Sequence, residues 1–276
     1  MTTKWIAILL LAAAPLVAAD QQPGRLSFSA TLESIRVNAR ADDVITRQFK
    51  LTLDPQQPRS TFHAKVEDFW RSEDGTQSFY GTPGTLRRSC AKWVALNPVD
   101  ATVSATETLT VRISITVPHE LPSGGYWCAL TVDEVPDPLV ETAGVGVRFL
   151  ASVSTGIFVY VGDVRREASI LDLSVSADSA SLRVRNDGNT PLGIEGKLEF
   201  FKAAAASPTA TVTLPRTTVF TEPSIEGAIA VKLPAAVDLP AGTYRLRAIL
   251  DFGADHYVGA EREVIVSRGG VQRDRD

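Results

Sequence analysis

Histidine and cysteine are scarce in this sequence, and the few that occur are scattered. The 276 residues include three histidines and two cysteines. The histidines at positions 63, 119 and 256 lack the close spacing that metal sites use. The chain also lacks a Gly-x-Ser-x-Gly elbow and a glycine-rich phosphate loop. We therefore expect no metal, no cofactor and no enzymatic activity.

An excess of positive charge is lacking as well. The formal net charge is −4 at pH 7, with 28 lysines and arginines against 32 aspartates and glutamates. Proteins that bind nucleic acid usually carry a basic patch or stripe. The charge balance therefore indicates no nucleic-acid partner.

No apolar run in the sequence is long enough to cross a membrane, and the most apolar stretch lies at the amino end. Lys4 precedes this stretch, and Val17 and Ala19 place small residues at the −3 and −1 positions of a cleavage site. The stretch is shorter than the roughly 20 residues of a spanning helix. We predict a signal peptide over residues 1–19, cleaved after Ala19, and no lipid anchor because no cysteine follows the cut. The protein is expected to be periplasmic or secreted and not membrane-spanning.

Long helical periodicity is missing too, and apolar residues instead alternate with polar ones. Residues 109–117 alternate in this way, as do residues 145–153 and 244–252, which is typical of half-buried antiparallel strands. The phase of the alternation changes near Glu33, which predicts a bulge or bend there. The pattern predicts an all-β protein.

One phrase occurs twice, as LPSGGYWCALTVD at residues 121–133 and as LPAGTYRLRAILD at residues 239–251. In both copies proline and glycine favour a tight turn into a strand headed by tyrosine. That tyrosine can bond its hydroxyl to nearby backbone, as in the tyrosine corner of immunoglobulin-like sandwiches. We predict two immunoglobulin-like β-sandwich domains in tandem, at residues 20–162 and 163–268, and a disordered tail at residues 269–276.

Several segments carry a resemblance to known families. FHAKVEDFWRSEDGTQSF, LTVRISITVP, GGYWCALTV and VGVRFLASVSTGIFVYVG follow one another in the first half of the chain. Residues 26–161 resemble the immunoglobulin-like domain of the WxL-interacting protein and peptidoglycan-binding family, and more distantly the amino-terminal domain of the PapD-like periplasmic pilus chaperones. Residues 165–267, with LRVRNDGNTPL, resemble the second, smaller sandwich that often follows.

The two cysteines are expected to pair. The strand order that the resemblance implies places Cys90 just before the Trp93 strand and Cys128 inside the Tyr126 strand. Exported proteins meet an oxidising compartment, and a disulfide here stabilises the first domain by about 3–4 kcal/mol in the chain-entropy model. The alternative is a nucleophilic Cys128 with His63 or His119 as its base.

The resemblance to pilus chaperones implies a protein partner that pairs with an edge strand. The candidate strand alternates apolar residues at Val145, Val147, Phe149, Ala151 and Val153. The alternative is an ordinary sheet strand whose apolar side belongs to the core. Pilus chaperones also hold the partner's terminal carboxylate with an arginine in the first strand and a lysine in the last. Residues 30–33 and 154–157, the corresponding stretches, contain neither cation. A chaperone-like protein of this sequence needs another way to hold its client.

The resemblance to the wall-binding family implies a different role, as an adaptor for peptidoglycan or a surface glycan. Trp70 and Tyr80 bracket the turn at Glu73-Asp74-Gly75, and exposed aromatic rings are suited to stacking on sugars. The opposing interpretation is that the two rings cover the edge of a sandwich. We expect a binding protein whose partner is another exported or surface protein, with cell-wall polymer as the alternative.

Overall fold

The computed structural model describes residues 28–30, 33–55, 59–136, 150–175, 178–202, 205–233, 241–267 and 270–273. The predicted signal peptide lies outside these residues. No helix in the described ranges is long and apolar enough to span a membrane.

Strands make up both halves of the described chain. The first half contains β1 (Phe28–Ala30), β2 (Ile35–Ala39), β3 (Val44–Leu53), β4 (Arg59–Arg71), β5 (Gln77–Tyr80), β6 (Val94–Asn97), β7 (Asp100–Ser104), β8 (Thr108–Thr116), β9 (Gly124–Val135) and β10 (Ser152–Val161). One sheet has the order β1-β3-β8-β6, and the facing sheet has the order β2-β10-β9-β4-β5, with β7 also paired to β4. Ala91–Trp93 is a short 3-10 helix ahead of β6, where the resemblance implied strand.

The second half forms another sandwich. Its strands are β11 (Ala168–Val175), β12 (Ser179–Asn186), β13 (Leu192–Lys202), β14 (Ala210–Val219), β15 (Glu226–Lys232), β16 (Gly242–Asp251), β17 (Val258–Ser267) and β18 (Gly270–Arg273). They form sheets of order β11-β12-β15 and β14-β13-β16-β17-β18. The predicted fold class, all-β with two immunoglobulin-like sandwiches, is confirmed.

One part of the predicted disordered tail is ordered. Gly270–Arg273 forms β18, which pairs antiparallel with β17. Because the pairing uses backbone groups, it needs no alternating pattern of side chains, and the sequence carries no such pattern there. The remainder of that prediction, at residues 274–276, lies outside the described residues.

The buried side of β8 follows the alternation in its sequence. Val111, Ile113 and Ile115 are fully buried, and the residues between them are exposed or half-buried. Burying an aliphatic side chain of this size stabilises the fold by about 1.5–3 kcal/mol. Strand β9 differs, since residues 124–132 are buried on both faces.

The first copy of the repeated phrase forms a tyrosine corner. The Tyr126 hydroxyl donates to the Pro122 carbonyl oxygen at 2.8 Å, and its ring is almost fully buried. Gly124 has a φ of +133°, a conformation that glycine adopts without strain. In the second copy Tyr244 is fully buried, but the leucine and proline of that copy lie outside the described residues.

The first strand of the chain changes sheets where the alternation changes phase. β1 pairs antiparallel with β3 in one sheet, whereas β2 pairs parallel with β10 in the other. A chain that crosses between two sheets must redirect its apolar side chains, which explains the switch near Glu33. The crossing also brings β2 beside the second half of β10, next to the other sandwich.

Candidate functional site

Strand β10 has two halves with different neighbours. β9 pairs with it along its whole length, whereas β2 pairs only from Ile157 to Val161. On the side away from β9, no described strand pairs with residues 152–156. An unpaired strand edge presents N–H and C=O groups to which another chain can add a strand. The first half of β10 is therefore an edge without a paired strand within the described residues, and its contact with the chain before β2 is the bond from the Thr155 hydroxyl to the Glu33 carbonyl oxygen at 2.9 Å.

The predicted edge residues are only partly within the described chain. Ala151 and Val153 are half-buried and pack against the first core, so their apolar sides belong to the sandwich. Ser152 and Ser154 point the other way and are exposed. Val145, Val147 and Phe149 lie outside the described residues. A partner strand would therefore bind the backbone edge of β10 rather than its apolar side chains.

The second half of β10 faces a cleft between the two sandwiches. One compartment of about 480 Å³ is lined by polar and charged residues: Glu33, Ser34, Arg36, Arg71, Arg216, Thr217 and Thr218. A second compartment of about 270 Å³ shares Arg36, Arg216 and Thr218 with the first. Phe158, Tyr160, Arg166 and Phe252 are among its other lining residues.

Four arginines from separate elements therefore line the cleft. Arg36 lies on β2, with its guanidinium carbon 5.3 Å from the centroid of the Phe158 ring. Arg166, in the connection to β11, lies over Tyr160 at 5.4 Å. Arg71 ends β4 and donates to the Thr217 hydroxyl at 3.3 Å. Such stacking fixes a guanidinium plane while leaving its N–H edges available for an anion.

The fourth arginine is directed by a bulge in an edge strand. Leu214 lies opposite Gly196 and Thr217 lies opposite Ile194, so Pro215 and Arg216 together face the single residue between them on β13. Bulges bend a strand and re-aim its side chains, and proline is tolerated at such positions on an edge. The exposed Arg216 side chain consequently lines both compartments.

An aromatic cluster joins the two sandwiches next to the cleft. Phe220, just after β14, is almost fully buried, and its ring centroid lies 5.1 Å from that of Trp127 and 5.4 Å from that of Phe69. The Trp127 indole N–H donates to the Phe69 carbonyl oxygen at 2.7 Å. Trp127 is on the face of β9 opposite the first core, which explains why β9 is buried on both faces.

A buried carboxylate reinforces this junction. Glu222 of the second sandwich accepts the Arg88 backbone N–H at 2.5 Å and the Arg87 Nε–H at 3.1 Å. The loop that presents those two groups is itself held by Asp68, which accepts the Leu86 N–H at 2.9 Å and the Ser89 hydroxyl. Asp68 of β4 thus fixes the loop that carries Arg87 and Arg88, and that loop presents the two donors to Glu222.

The predicted disulfide lies at the end of the same loop. Cys90 and Cys128 are bonded through their sulfur atoms, with their Cα atoms 5.4 Å apart. Both residues are fully buried. The alternative of a nucleophilic Cys128 is wrong for this structure, because the bonded sulfur has no thiol to ionise. The bond ties the Arg87-Arg88 loop to β9, beside Trp127.

The histidines do not converge on one another. His63 bonds Asp100 at 2.8 Å, His119 bonds Asp42 at 2.6 Å, and each pair lies on the surface. The Asp42 carboxylate raises the pKa of His119. Within the described ranges, no group of three or more histidine, cysteine or carboxylate residues could hold a metal ion.

The two aromatic residues of the predicted glycan hairpin contact each other. The rings of Trp70 and Tyr80 stack with centroids 3.9 Å apart and planes inclined by 21°. Both are half-buried and pack against the cluster that contains Phe69. Each ring therefore covers a face of the other, and both contact the aromatic cluster.

Comparison with known proteins finds similar solved structures but no related sequence. No family model and no curated protein matches the chain. Its structure is similar to the YadV chaperone, with 15% identity over 86% of this chain and 100% of that chain and a TM-score of 0.47. It is also similar to the periplasmic chaperone SfaE, with 12% identity, coverage of 84% and 98%, and a TM-score of 0.41.

A third similar structure is the CsuC–CsuE chaperone–tip adhesion subunit pre-assembly complex of archaic chaperone-usher Csu pili of Acinetobacter baumannii. The identity is 13%, the match covers 82% of this chain and 94% of that chain, and the TM-score is 0.42. Each of these three structures contains a chaperone, and the comparisons do not support the WxL-interacting, peptidoglycan-binding part of the resemblance. Cell-wall polymer as a partner is likewise unsupported.

Proposed function

We propose that this protein is an exported, non-catalytic, chaperone-like assembly factor that binds an extended segment of another exported protein. The observation that carries the proposal is the division of β10 into an open first half and a second half that ends in an arginine-lined cleft. The client strand adds to the sheet along residues 152–156. Backbone hydrogen bonds of this kind contribute about 0.5–1.5 kcal/mol each, so a short segment alone binds weakly.

The cleft decides the direction of the client strand. β2 occupies the same edge of β10 from Ile157 onward, so a client on residues 152–156 ends where β2 begins. Ser34 and Arg36, at the start of β2, line the polar compartment of the cleft. A client parallel to β10 delivers its carboxyl terminus there, and an antiparallel client delivers an amino group. The arginines attract the carboxylate and repel the ammonium, which favours the parallel arrangement.

Arg36 and Arg71 supply the cationic side chains for the client's terminal carboxylate that residues 30–33 and 154–157 lack. Guanidinium groups bind carboxylates through two parallel hydrogen bonds, and such charge-assisted bonds are about twice as strong as neutral ones. The client is thus held at its end by charge and along its length by backbone pairing. The predicted signal peptide and the disulfide support an oxidising compartment outside the cytoplasm as the place where this happens.

The direct test is affinity capture of the tagged protein from its own cell envelope after brief cross-linking. We expect one dominant exported protein, and we expect it to be lost when Val147 and Phe149 are replaced by aspartate and when Arg36 is replaced by glutamine. Arg112→Gln is the matched control, because Arg112 is exposed on β8 in the opposite sheet. Capture that survives all of these changes would overturn the proposal, as would enrichment of polymer without a stoichiometric protein.

A further inference from the structure

The four arginines of the cleft have no carboxylate partner among the described residues, whereas several arginines of the second sandwich do. On the second sandwich, Arg247 bonds Glu199 at 2.6 Å and Arg262 bonds Asp172 at 3.1 Å. None of the four cleft arginines forms an ion pair with any described residue. Only one carboxylate, that of Glu33, lines the same space within the described chain. The cleft therefore carries an uncompensated positive charge.

One terminal carboxylate does not neutralise this charge. A carboxylate has about four lone-pair sites and can be saturated by two guanidinium groups, each of which offers five N–H donors. Four such groups gathered in one cleft repel each other, and the walls of the cleft focus their field outward. An arrangement of this kind favours a ligand that brings more than one negative charge.

The division of the cleft indicates where the second charge goes. Of the two compartments, Arg71 lines the one at the start of β2, and Arg166 lines the one walled by Phe158, Tyr160 and Phe252. Arg36 and Arg216 line both. A carboxyl terminus bound beside Arg71 thus leaves Arg166 without an anion, in a compartment of about 270 Å³ that has room for a side chain.

We infer that the client's carboxyl-terminal segment is acidic, with at least one aspartate or glutamate near its terminal carboxylate. The terminal carboxylate binds Arg36 and Arg71, and the acidic side chain binds Arg166 and Arg216. This inference rests on the proposed function and adds a role for the second half of the chain. Arg216 and Arg166 lie outside the first sandwich, so the second sandwich and its connection select the client by charge.

The test compares synthetic peptides binding to the full mature protein. All the peptides have the same run of alternating apolar and polar residues, and they end in Asp-Glu or in Asn-Gln, with a free or an amidated terminus. We expect the acidic peptide with a free terminus to bind about tenfold or more tighter than its Asn-Gln counterpart at low salt. Arg166→Gln and Arg216→Gln, singly and together, should reduce this ratio to less than about twofold. Arg166→Gln should not change binding of the Asn-Gln peptide, because the Arg166 side chain lines only the second of the two compartments.

Controls separate this inference from the proposed function. Arg112→Gln should keep the full ratio, and unchanged near-ultraviolet circular dichroism of each variant shows that it folds. Equal affinity for the acidic and neutral peptides, with both dependent on Arg36 and on a free terminus, overturns the inference and leaves the proposed function standing. Failure of every peptide to bind, or binding indifferent to amidation, overturns the carboxyl-end docking and the inference with it.

Discussion

The two copies of the repeated phrase form corresponding strands, β9 and β16, but the two strands have different surroundings. In β9, Tyr126, Cys128 and Leu130 face the first core, and Trp127 and Ala129 face the aromatic cluster at the domain junction. In β16 the residues on one face are likewise buried in a core: Tyr244, Leu246, Ala248 and Leu250.

The opposite face of β16 is charged where that of β9 is apolar. Arg245 and Arg247 occupy the positions that correspond to Trp127 and Ala129. Both guanidinium groups lie over the Phe201 ring, with their carbon atoms 4.9 and 4.7 Å from its centroid. On each strand, the residues of one face therefore form the corner and the core. The residues of the other face determine whether the strand contacts water or the other domain. The tryptophan and the cysteine of the first copy both belong to the strand that carries the junction.

The largest difference between the two strands is expected when the corresponding residues Trp127 and Arg245 are substituted. Trp127→Ala should lower the free energy of unfolding by about 3–5 kcal/mol, because it opens a cavity in a fully buried cluster. Arg245→Ala should cost about 1 kcal/mol or less, since its 3.7 Å pair with Glu261 is exposed. Denaturant unfolding measures both values. Similar losses for the two variants would contradict the assignment of Trp127 to the junction.

Removing the disulfide is expected to have the next largest effect. Replacing Cys90 and Cys128 by alanine together should destabilise the protein by about 2–4 kcal/mol, through the unfolded chain and through the loop that presents Arg88 to Glu222. Amide hydrogen exchange should show the loss in the first sandwich and at residues 86–90, with strand β12 unchanged at the same denaturant concentration. Equal loss of protection in β12 would argue against this local role.

Glu222→Gln tests the junction without opening a cavity. The amide can still accept the Arg88 N–H but loses the charge that faces Arg87, so we expect a loss of about 1–2 kcal/mol. Small-angle scattering should also show a wider distribution of distances between the sandwiches than in the parent. Glu261→Gln, on the exposed face of the second sandwich, is the control and should change neither quantity. An unchanged scattering profile for Glu222→Gln would mean that the aromatic cluster alone holds the junction.

The charged face of β16 should make the stability of the second sandwich depend on pH. Hydrogen bonds from Lys197 and then Arg247 lower the pKa of Glu199 below its ordinary value of 4.5. A carboxylate with a lowered folded pKa contributes stability above its unfolded pKa, and that stability is lost as the pH falls through the folded pKa. Melting temperatures measured from pH 6 to below about pH 4 should therefore fall less steeply for Glu199→Gln than for the parent. Parallel curves would show that the Glu199 pairs add nothing.

Much of the strand pattern was predictable from the sequence, because alternation is a local property of neighbouring residues. The alternating residues 109–116 lie in β8 (Thr108–Thr116), and Tyr126 forms its corner within a few residues of Pro122. The crossing of the chain between the two sheets before β2 is visible in the sequence only as the change in phase of the alternation near Glu33. At Ala91–Trp93 the local pattern gave no indication of the 3-10 turn.

The cleft was not predictable in the same way. Its four arginines come from β2, β4, the connection to β11 and the bulge in β14, and no short motif links positions so far apart in the chain. Arg36 lies three residues beyond the stretch expected to hold the first-strand cation. Pro215 was the single local signal, because a proline inside an alternating strand favours an edge with a bulge. Convergence of distant residues depends on the relative placement of two sandwiches, which local patterns do not determine.

The central claim is that a client strand lies along the first half of β10 with its carboxyl end in the cleft. The most direct measurement places a photo-crosslinking amino acid at the exposed Ser154 and, as a control, at the exposed Thr110 of the other sheet, and then identifies the cross-linked peptide by mass spectrometry. We predict a cross-link from Ser154, and not from Thr110, to one exported protein within about the last five residues of its chain. A cross-link to an internal or amino-terminal segment, or equal cross-linking from Thr110, would contradict it.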